Sequence, residues 1–112
     1  MGLDFNCEAH WVYSGFARFR ERLAAAAGIP LTEMSGYKEG GIAWSEYEDA
    51  IIPLLNHSDC DGELSPEACS AVAPRLREII SVWHYDYDKQ QGEMLASGME
   101  KCAACGKALR FY

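Results

Sequence analysis

Residues 56–83 read NHSDCDGELSPEACSAVAPRLREIISVW and contain the clearest fold signal in the chain. Ser65 stands before Pro66, which is the order expected where a helix begins, because a serine side chain caps the first free amides and a proline there needs no amide partner. Apolar residues then recur at helical spacing: Cys69, Val72, Leu76, Ile79, Ile80 and Trp83. We therefore predict one helix from Pro66 onward, kinked at Pro74 and preceded by a polar loop.

Three further helices are predicted around this one. The first follows Ser14 as its N-cap and ends at Gly28, where a left-handed glycine can terminate a helix. A short apolar helix is expected to begin near Ala50. The last helix is predicted to begin after Asp86, another capping residue, and to end at Gly106.

Both chain ends alternate apolar and polar residues, which is typical of short strands. Residues 3–7 read LDFNC and residues 109–112 read LRFY. We expect these two ends to pair in one small sheet, with residues 41–44 as a possible third strand. The predicted fold class is α+β: about four helices packed on a small two- or three-stranded sheet formed largely by the chain termini, in a single domain over residues 1–112.

The composition limits the classes of function. The chain has 112 residues, 49% of them apolar, and a formal net charge of −7. The apolar content is sufficient for a folded core, and an acidic chain is poorly suited to bind a nucleic acid duplex. No apolar run approaches the roughly 20 residues of a membrane span. We expect a cytoplasmic protein that does not bind membranes, with its five cysteines reduced.

The polar loop over residues 56–67 is the first candidate site. Its side chains with free polar tips are His57, Ser58, Asp59 and Asp61. With Gly62 at the sixth place, the loop resembles a degenerate EF-hand, in which Asp59 and Asp61 would be the metal ligands. The usual Asp at the first place and Glu at the twelfth are missing. A purely structural turn, with the aspartates bonded to their own backbone, explains most of these residues equally well.

Aromatic residues and one arginine form the second candidate group. Trp11 and Tyr13 lie beside the first helix, while Tyr37 and Trp44 lie in an irregular segment rich in glycine. Aromatic rings near Arg20 could hold a nucleotide base and its phosphate. The alternative is that these rings belong to the core or cover it.

Two other chemistries are weaker. Cys102 and Cys105 have the spacing of half a zinc ribbon, but a closed zinc site needs four ligands, and two cysteines on one helix face also fit a core. His57 beside Asp59 could be a general base with an orienting carboxylate, yet no nucleophile motif accompanies them. We therefore expect a protein that is not an enzyme and has no cofactor.

Several segments together resemble a family of small uncharacterised proteins encoded by bacteria and their phages. These segments are AHWVYSGFARFR at 9–20, LLNHSDCDGELSPEAC at 54–69, VAPRLREI at 72–79, DYDKQQ at 86–91 and LASGME at 95–100. The resemblance implies an accessory role, such as binding a host protein or intercepting a defence signal. The sequence thus predicts a small binding module. Its alternatives are a protein that sequesters a nucleotide ligand and a degenerate EF-hand-like protein that binds a divalent metal.

Overall fold

The structure, a computed structural model, describes residues 2–5, 10–35, 37–56 and 62–111. The elements within these ranges follow one another as β1 (Gly2–Asp4), β2 (His10–Val12), α1 (Tyr13–Ala27), two short 3-10 turns (Leu31–Glu33 and Trp44–Glu46), α2 (Ile52–Leu55), β3 (Gly62–Leu64), α3 (Pro66–Ile80), α4 (Tyr87–Cys105) and β4 (Leu109–Phe111). The predicted α+β class with four helices is confirmed for these residues.

The described strands form two separate antiparallel pairs. β1 pairs with β2, and β3 pairs with β4, with Leu64 opposite Leu109. Among the described residues, each chain end supplies one strand, and the predicted pairing of the two ends with each other is not found. β1 meets β2 instead, which follows it closely in the chain and needs only a short loop closure. Residues 41–44 form no strand: Ile42 makes an isolated bridge to Met34.

The predicted starts of α3 and α4 and the predicted end of α4 are confirmed. The Ser65 hydroxyl accepts a hydrogen bond from the Ala68 amide at 3.1 Å, and the Asp86 carboxylate accepts one from the Lys89 amide at 2.9 Å. Gly106 ends α4 in the left-handed conformation, with φ of 67°. These contacts satisfy amides and carbonyls that have no partner inside a helix.

The start of α1 differs from its prediction. The helix begins at Tyr13, directly after β2, so Ser14 lies in the first turn and is not the N-cap. Strand and helix follow each other without an intervening loop, so the N-cap position falls on Val12, which has no side-chain oxygen to accept a hydrogen bond. The other end agrees with the prediction, since α1 ends at Ala27, immediately before Gly28.

The core lies where α1 packs against α3 and α4, which also pack closely against each other. Its largest fully buried side chains come from β2, from the four helices and from the segments between them: Trp11, Phe16, Phe19, Leu23, Met34, Ile51, Leu54, Leu55, Leu76, Ile80 and Leu95. Gly92 of α4 permits a close approach of the three helices. A Cβ atom at Gly92 would lie 3.2 Å from Cδ1 of Ile80 and 3.3 Å from Cζ of Phe19. No helix within the described ranges is long and apolar enough to cross a membrane.

Candidate functional site

Residues 57–61 of the polar loop that the sequence singles out lie outside the described part of the chain. His57, Ser58, Asp59 and Asp61 are among them, so their binding role, including the EF-hand alternative, stays a prediction. Both flanks are described. The loop follows α2, which ends at Leu55, and leads to β3, whose first residue Gly62 has φ of 103°, as a sharp turn there requires.

Just before that loop, two of the predicted ligand residues donate hydrogen bonds to the backbone carbonyl of Leu55. It accepts a hydrogen bond from Nη2 of Arg20 and another, of 2.8 Å, from the hydroxyl of Tyr37. Leu55 itself is fully buried. A buried carbonyl has lost its water partners, so both donors stabilise the end of α2 and hold Tyr37 beside it.

Arg20 is a structural cation in this arrangement. Its side chain is 2% exposed, and its guanidinium lies 5.5 Å from the ring centre of Phe16 and 5.6 Å from that of Tyr37. Cation–π contacts of this kind stabilise a guanidinium that has been removed from water. Because Arg20 is enclosed and already donates to Leu55, an anion from solvent has little access to it.

Tyr37 and Trp44 are brought together on one segment, which we call the aromatic loop (residues 37–48). Their ring centres are 6.4 Å apart in an edge-to-face arrangement, and the Trp44 indole donates to the Ser35 carbonyl at 3.0 Å. Tyr37 remains 43% exposed and Ile42 38% exposed, while Trp44 is half-buried. The aromatic loop therefore presents apolar surface to solvent from a fixed position.

Close backbone packing holds the aromatic loop against the preceding turn. Ser35 donates its amide to the Ile42 carbonyl, and Ile42 donates its amide to the Glu33 carbonyl, each at 2.9 Å. A Cβ atom at Gly41 would lie 2.6 Å from the carbonyl carbon and oxygen of Met34. Only glycine fits between these backbones, so Gly41 allows the two bonds of Ile42 to form.

An ion pair ties the far end of this segment to α3. Arg75 donates through Nε and Nη2 to the two carboxylate oxygens of Asp49, at 2.9 and 3.0 Å. Burial acts to raise the pKa of Asp49, but the hydrogen bonds from Arg75 and the Ile51 amide, with the charge of Arg75, act against it and leave the pKa below its ordinary value. The two-pronged contact fixes the exit of the aromatic loop.

The rim of the aromatic loop is acidic. Glu39, Glu46 and Glu48 are exposed, and none of them forms an ion pair with another described residue. The one cation of the loop, Lys38, is bound to Glu33 at 2.7 Å. Three carboxylates of the aromatic loop thus face solvent, and the loop has no free positive charge to balance them.

Trp11 lies in the core and not on a binding surface. Its ring is 1% exposed and stacks on Phe19 at 4.5 Å, and its indole donates to Asp88 at 3.1 Å. The side chain of Tyr13, its predicted neighbour, lies outside the described part of the chain. We therefore leave Trp11 out of the surface proposed below.

The cysteine pair does not come together with further metal ligands in the described structure. Cys102 is buried, and this burial, with the nearby Cys105 thiol, raises its pKa. Cys105 is exposed, so the prediction that both thiols fill the inner face of α4 holds for Cys102 only. Among the described residues, no three His, Cys, Asp or Glu side chains group so that they could hold a metal ion.

Two described cavities lie away from the predicted residues. One, of about 330 Å³, is lined by Arg77, Ile80, Ser81, Lys89 and Glu93. Its cations are already in use, since Arg77 contacts Glu100 and Ser97, and Lys89 donates to two backbone carbonyls. The other, of about 460 Å³, lies where the start of α3 meets the end of α4.

Sequence reasoning missed a second exposed apolar group, at the turn between α3 and α4. Val82 is 85% exposed, Tyr85 74% and Tyr87 53%. The helical period predicts that α3 continues to Trp83, but α3 ends at Ile80 and leaves Val82 in the turn. The acids of this turn are already paired, because Arg22 binds Asp88 at 2.7 Å and Asp86 at 3.4 Å.

The aromatic loop is thus the described surface that combines predicted site residues with solvent access. Tyr37 and Trp44 meet there, on a support formed by Arg20 and Leu55. No protein-family model, curated protein or solved structure gives a significant match to this chain.

Proposed function

We propose that this protein is a small non-enzymatic binding module, an accessory factor of bacterial or phage origin, that binds a host protein through the aromatic loop. The observation that carries the proposal is the exposure of Tyr37 and Ile42 beside Trp44 on a segment braced from several sides. Aromatic residues that are held rigid supply contact area at a low entropic cost, which is why they are frequent at protein interfaces.

The bracing favours recognition over a purely structural role. Tyr37 donates to Leu55 and Trp44 to Ser35, so both rings are held in place before any partner arrives. A loop that served only to cover the core would direct its apolar groups inward. Instead, Ile42 remains 38% exposed although its own amide and carbonyl are both hydrogen-bonded.

The other functions weighed from the sequence receive less support. A nucleotide signal would need Arg20 for its phosphate, and that guanidinium is enclosed between Phe16 and Tyr37. A divalent metal would need Asp59 and Asp61, so this alternative stays a prediction. If calcium leaves the thermal unfolding curve unchanged and chelator does too, the metal alternative is excluded.

A photo-crosslinking experiment inside cells tests the proposal and requires no candidate partner. The cross-linking amino acid p-benzoylphenylalanine replaces Ile42 in one variant and Val82 in a matched control, because both positions are exposed and apolar. We expect one host protein to be cross-linked from position 42 and not from position 82. The purified pair is then expected to bind at least about tenfold more weakly with Ile42→Asp than with Val82→Asp, as truncated interface anchors show.

Either of two results contradicts the proposal. One is the absence of any specific cross-link from position 42. The other is a partner whose affinity is unchanged by Ile42→Asp while the variant remains folded by circular dichroism.

A further inference from the structure

We propose, on the basis of the function proposed above, that the partner presents a segment rich in Arg and Lys to the aromatic loop. The apolar centre of this surface comprises Tyr37, Ile42 and Trp44, and carboxylates lie close to it in the chain. Glu39 falls between Tyr37 and Ile42, while Glu46 and Glu48 follow Trp44. A partner that fits must therefore complement both apolar contact and negative charge.

The balance of charge inside the loop points to a cationic partner. Lys38 is bound to Glu33 at 2.7 Å, so it does not offset Glu39, Glu46 or Glu48. Within the described structure these three carboxylates form no ion pair of their own. Arg or Lys side chains of a partner could therefore bind these three carboxylates without displacing an ion pair within the protein.

The aromatic rings add a second reason. Trp is the ring that attracts cations most strongly, and Trp44 has no cation over it among the described residues. Tyr37, by contrast, already contacts the guanidinium of Arg20. The guanidinium of an incoming Arg suits both groups of this surface, since it stacks on aromatic rings and pairs with carboxylates.

The charge of the whole chain argues against two other occupants of this surface. With a formal net charge of −7, a second copy of the chain would bring like charge to the acidic rim. An acidic protein surface would be repelled for the same reason. The same field attracts a basic partner from solution and speeds its association.

A peptide series tests this inference on the intact protein. Three synthetic peptides share one framework of Leu and Ser and carry Arg, Gln or Glu at the same positions. Binding is followed through the N–H signal of the Trp44 indole ring in two-dimensional NMR spectra. We expect the Arg peptide to shift this signal saturably, more weakly as salt is added, and the Gln and Glu peptides to bind much less.

Matched variants separate a local effect from general attraction to an acidic chain. The loop variant carries Glu39→Gln, Glu46→Gln and Glu48→Gln. The control carries Glu21→Gln, Glu67→Gln and Glu93→Gln, which remove the same total charge from other places. We expect the loop variant to bind the Arg peptide roughly tenfold more weakly and the control less than about twofold, since each exposed charge contributes modestly.

Each other outcome overturns the inference in a recognisable way. Equal weakening by both triple variants means non-specific attraction. Equal binding of the Gln or Glu peptide means that the loop binds, as the proposed function requires, but does not select cations.

Trp44 shifts that depend on protein concentration alone mean that a second copy occupies the surface. If no peptide shifts Trp44, the cationic partner is rejected, and the cross-linking from position 42 still decides the proposed function by itself.

Discussion

The indole of Trp11 and the carboxylate of Asp88 are joined by a hydrogen bond of 3.1 Å across 77 positions of the chain. The same carboxylate binds Arg22 at 2.7 Å, and the guanidinium of Arg22 lies 3.9 Å from the ring centre of Trp83. Asp88, in the first turn of α4, therefore links β2 and α1 to that helix, and Arg22 adds a contact with Trp83 in the turn before it. This connection holds the N-terminal part of the chain against the C-terminal helix.

Replacement of Asp88 by Ala should lower the free energy of unfolding by about 1–3 kcal/mol, because the buried indole of Trp11 loses its acceptor and Arg22 loses its ion pair. Asp88→Asn should cost less, since its side-chain oxygen can still accept from the indole. Urea unfolding at neutral pH measures both. Glu93→Ala, on the same helix, is the control, and an equal loss for Glu93→Ala and Asp88→Ala would show that the contacts of Asp88 with Trp11 and Arg22 contribute nothing.

Arg20 and Tyr37 should stabilise the fold in a coupled way, because both donate to the buried carbonyl of Leu55. Arg20→Met or Tyr37→Phe alone leaves one donor on that carbonyl. The double variant leaves it without either, so we expect its loss of stability to exceed the sum of the single losses by roughly 1 kcal/mol. Denaturant unfolding of the four proteins in the cycle gives this number. Strict additivity would mean that the two bonds act independently.

Gly41→Ala should open the aromatic loop, because its new methyl group would overlap the Met34 carbonyl. We expect a loss of about 1–3 kcal/mol, as for other overpacked sites. Gly40→Ala is the matched control: an added methyl there meets no atom within 4 Å, although its φ of 68° adds backbone strain.

Hydrogen exchange distinguishes these two alanine variants. The amides of Ser35 and Ile42, which bond across the base of the loop, should exchange faster in Gly41→Ala than in Gly40→Ala. Unchanged protection of both amides in Gly41→Ala would contradict the close approach that the structure shows.

The ion pair of Asp49 and Arg75 should make the free energy of unfolding depend on pH in the acid range. The pKa of Asp49 is lower in the folded protein than its ordinary value of 3.8. The stabilisation is therefore complete above that value and is lost as the pH falls through the lower, folded pKa. Asp49→Asn should reduce stability at pH 7 and flatten the decline in acid, as measured by urea unfolding at a series of pH values.

The pair of Arg77 and Glu100 is a natural comparison for that experiment. Its side chains are 40% and 50% exposed, against 29% and 12% for Arg75 and Asp49. Exposed pairs contribute little and are screened by salt, so Glu100→Gln should change the stability at pH 7 less than Asp49→Asn does. A larger effect of Glu100→Gln would reverse this ranking.

The sequence by itself determined the local features of the fold. The helix starts after Ser65 and Asp86 and the helix ends at Gly28 and Gly106 were all predictable. Each depends on a residue and backbone groups only a few positions away, so the necessary information lies in a short stretch of sequence. The helical spacing of apolar residues in α3 identified its buried face for the same reason.

Only the tertiary structure decided which strands pair and which predicted site residues face solvent. Trp11 and Arg20 resemble ligand contacts in sequence, yet one stacks on Phe19 and the other is enclosed beside Tyr37. Tryptophan and arginine are also common in binding sites, so residue type alone does not distinguish the two roles. The burial of Trp11 and Arg20 depends on partners far along the chain, Asp88 and Leu55. Those contacts arise when separate elements pack together, and no short-range pattern of residues encodes them.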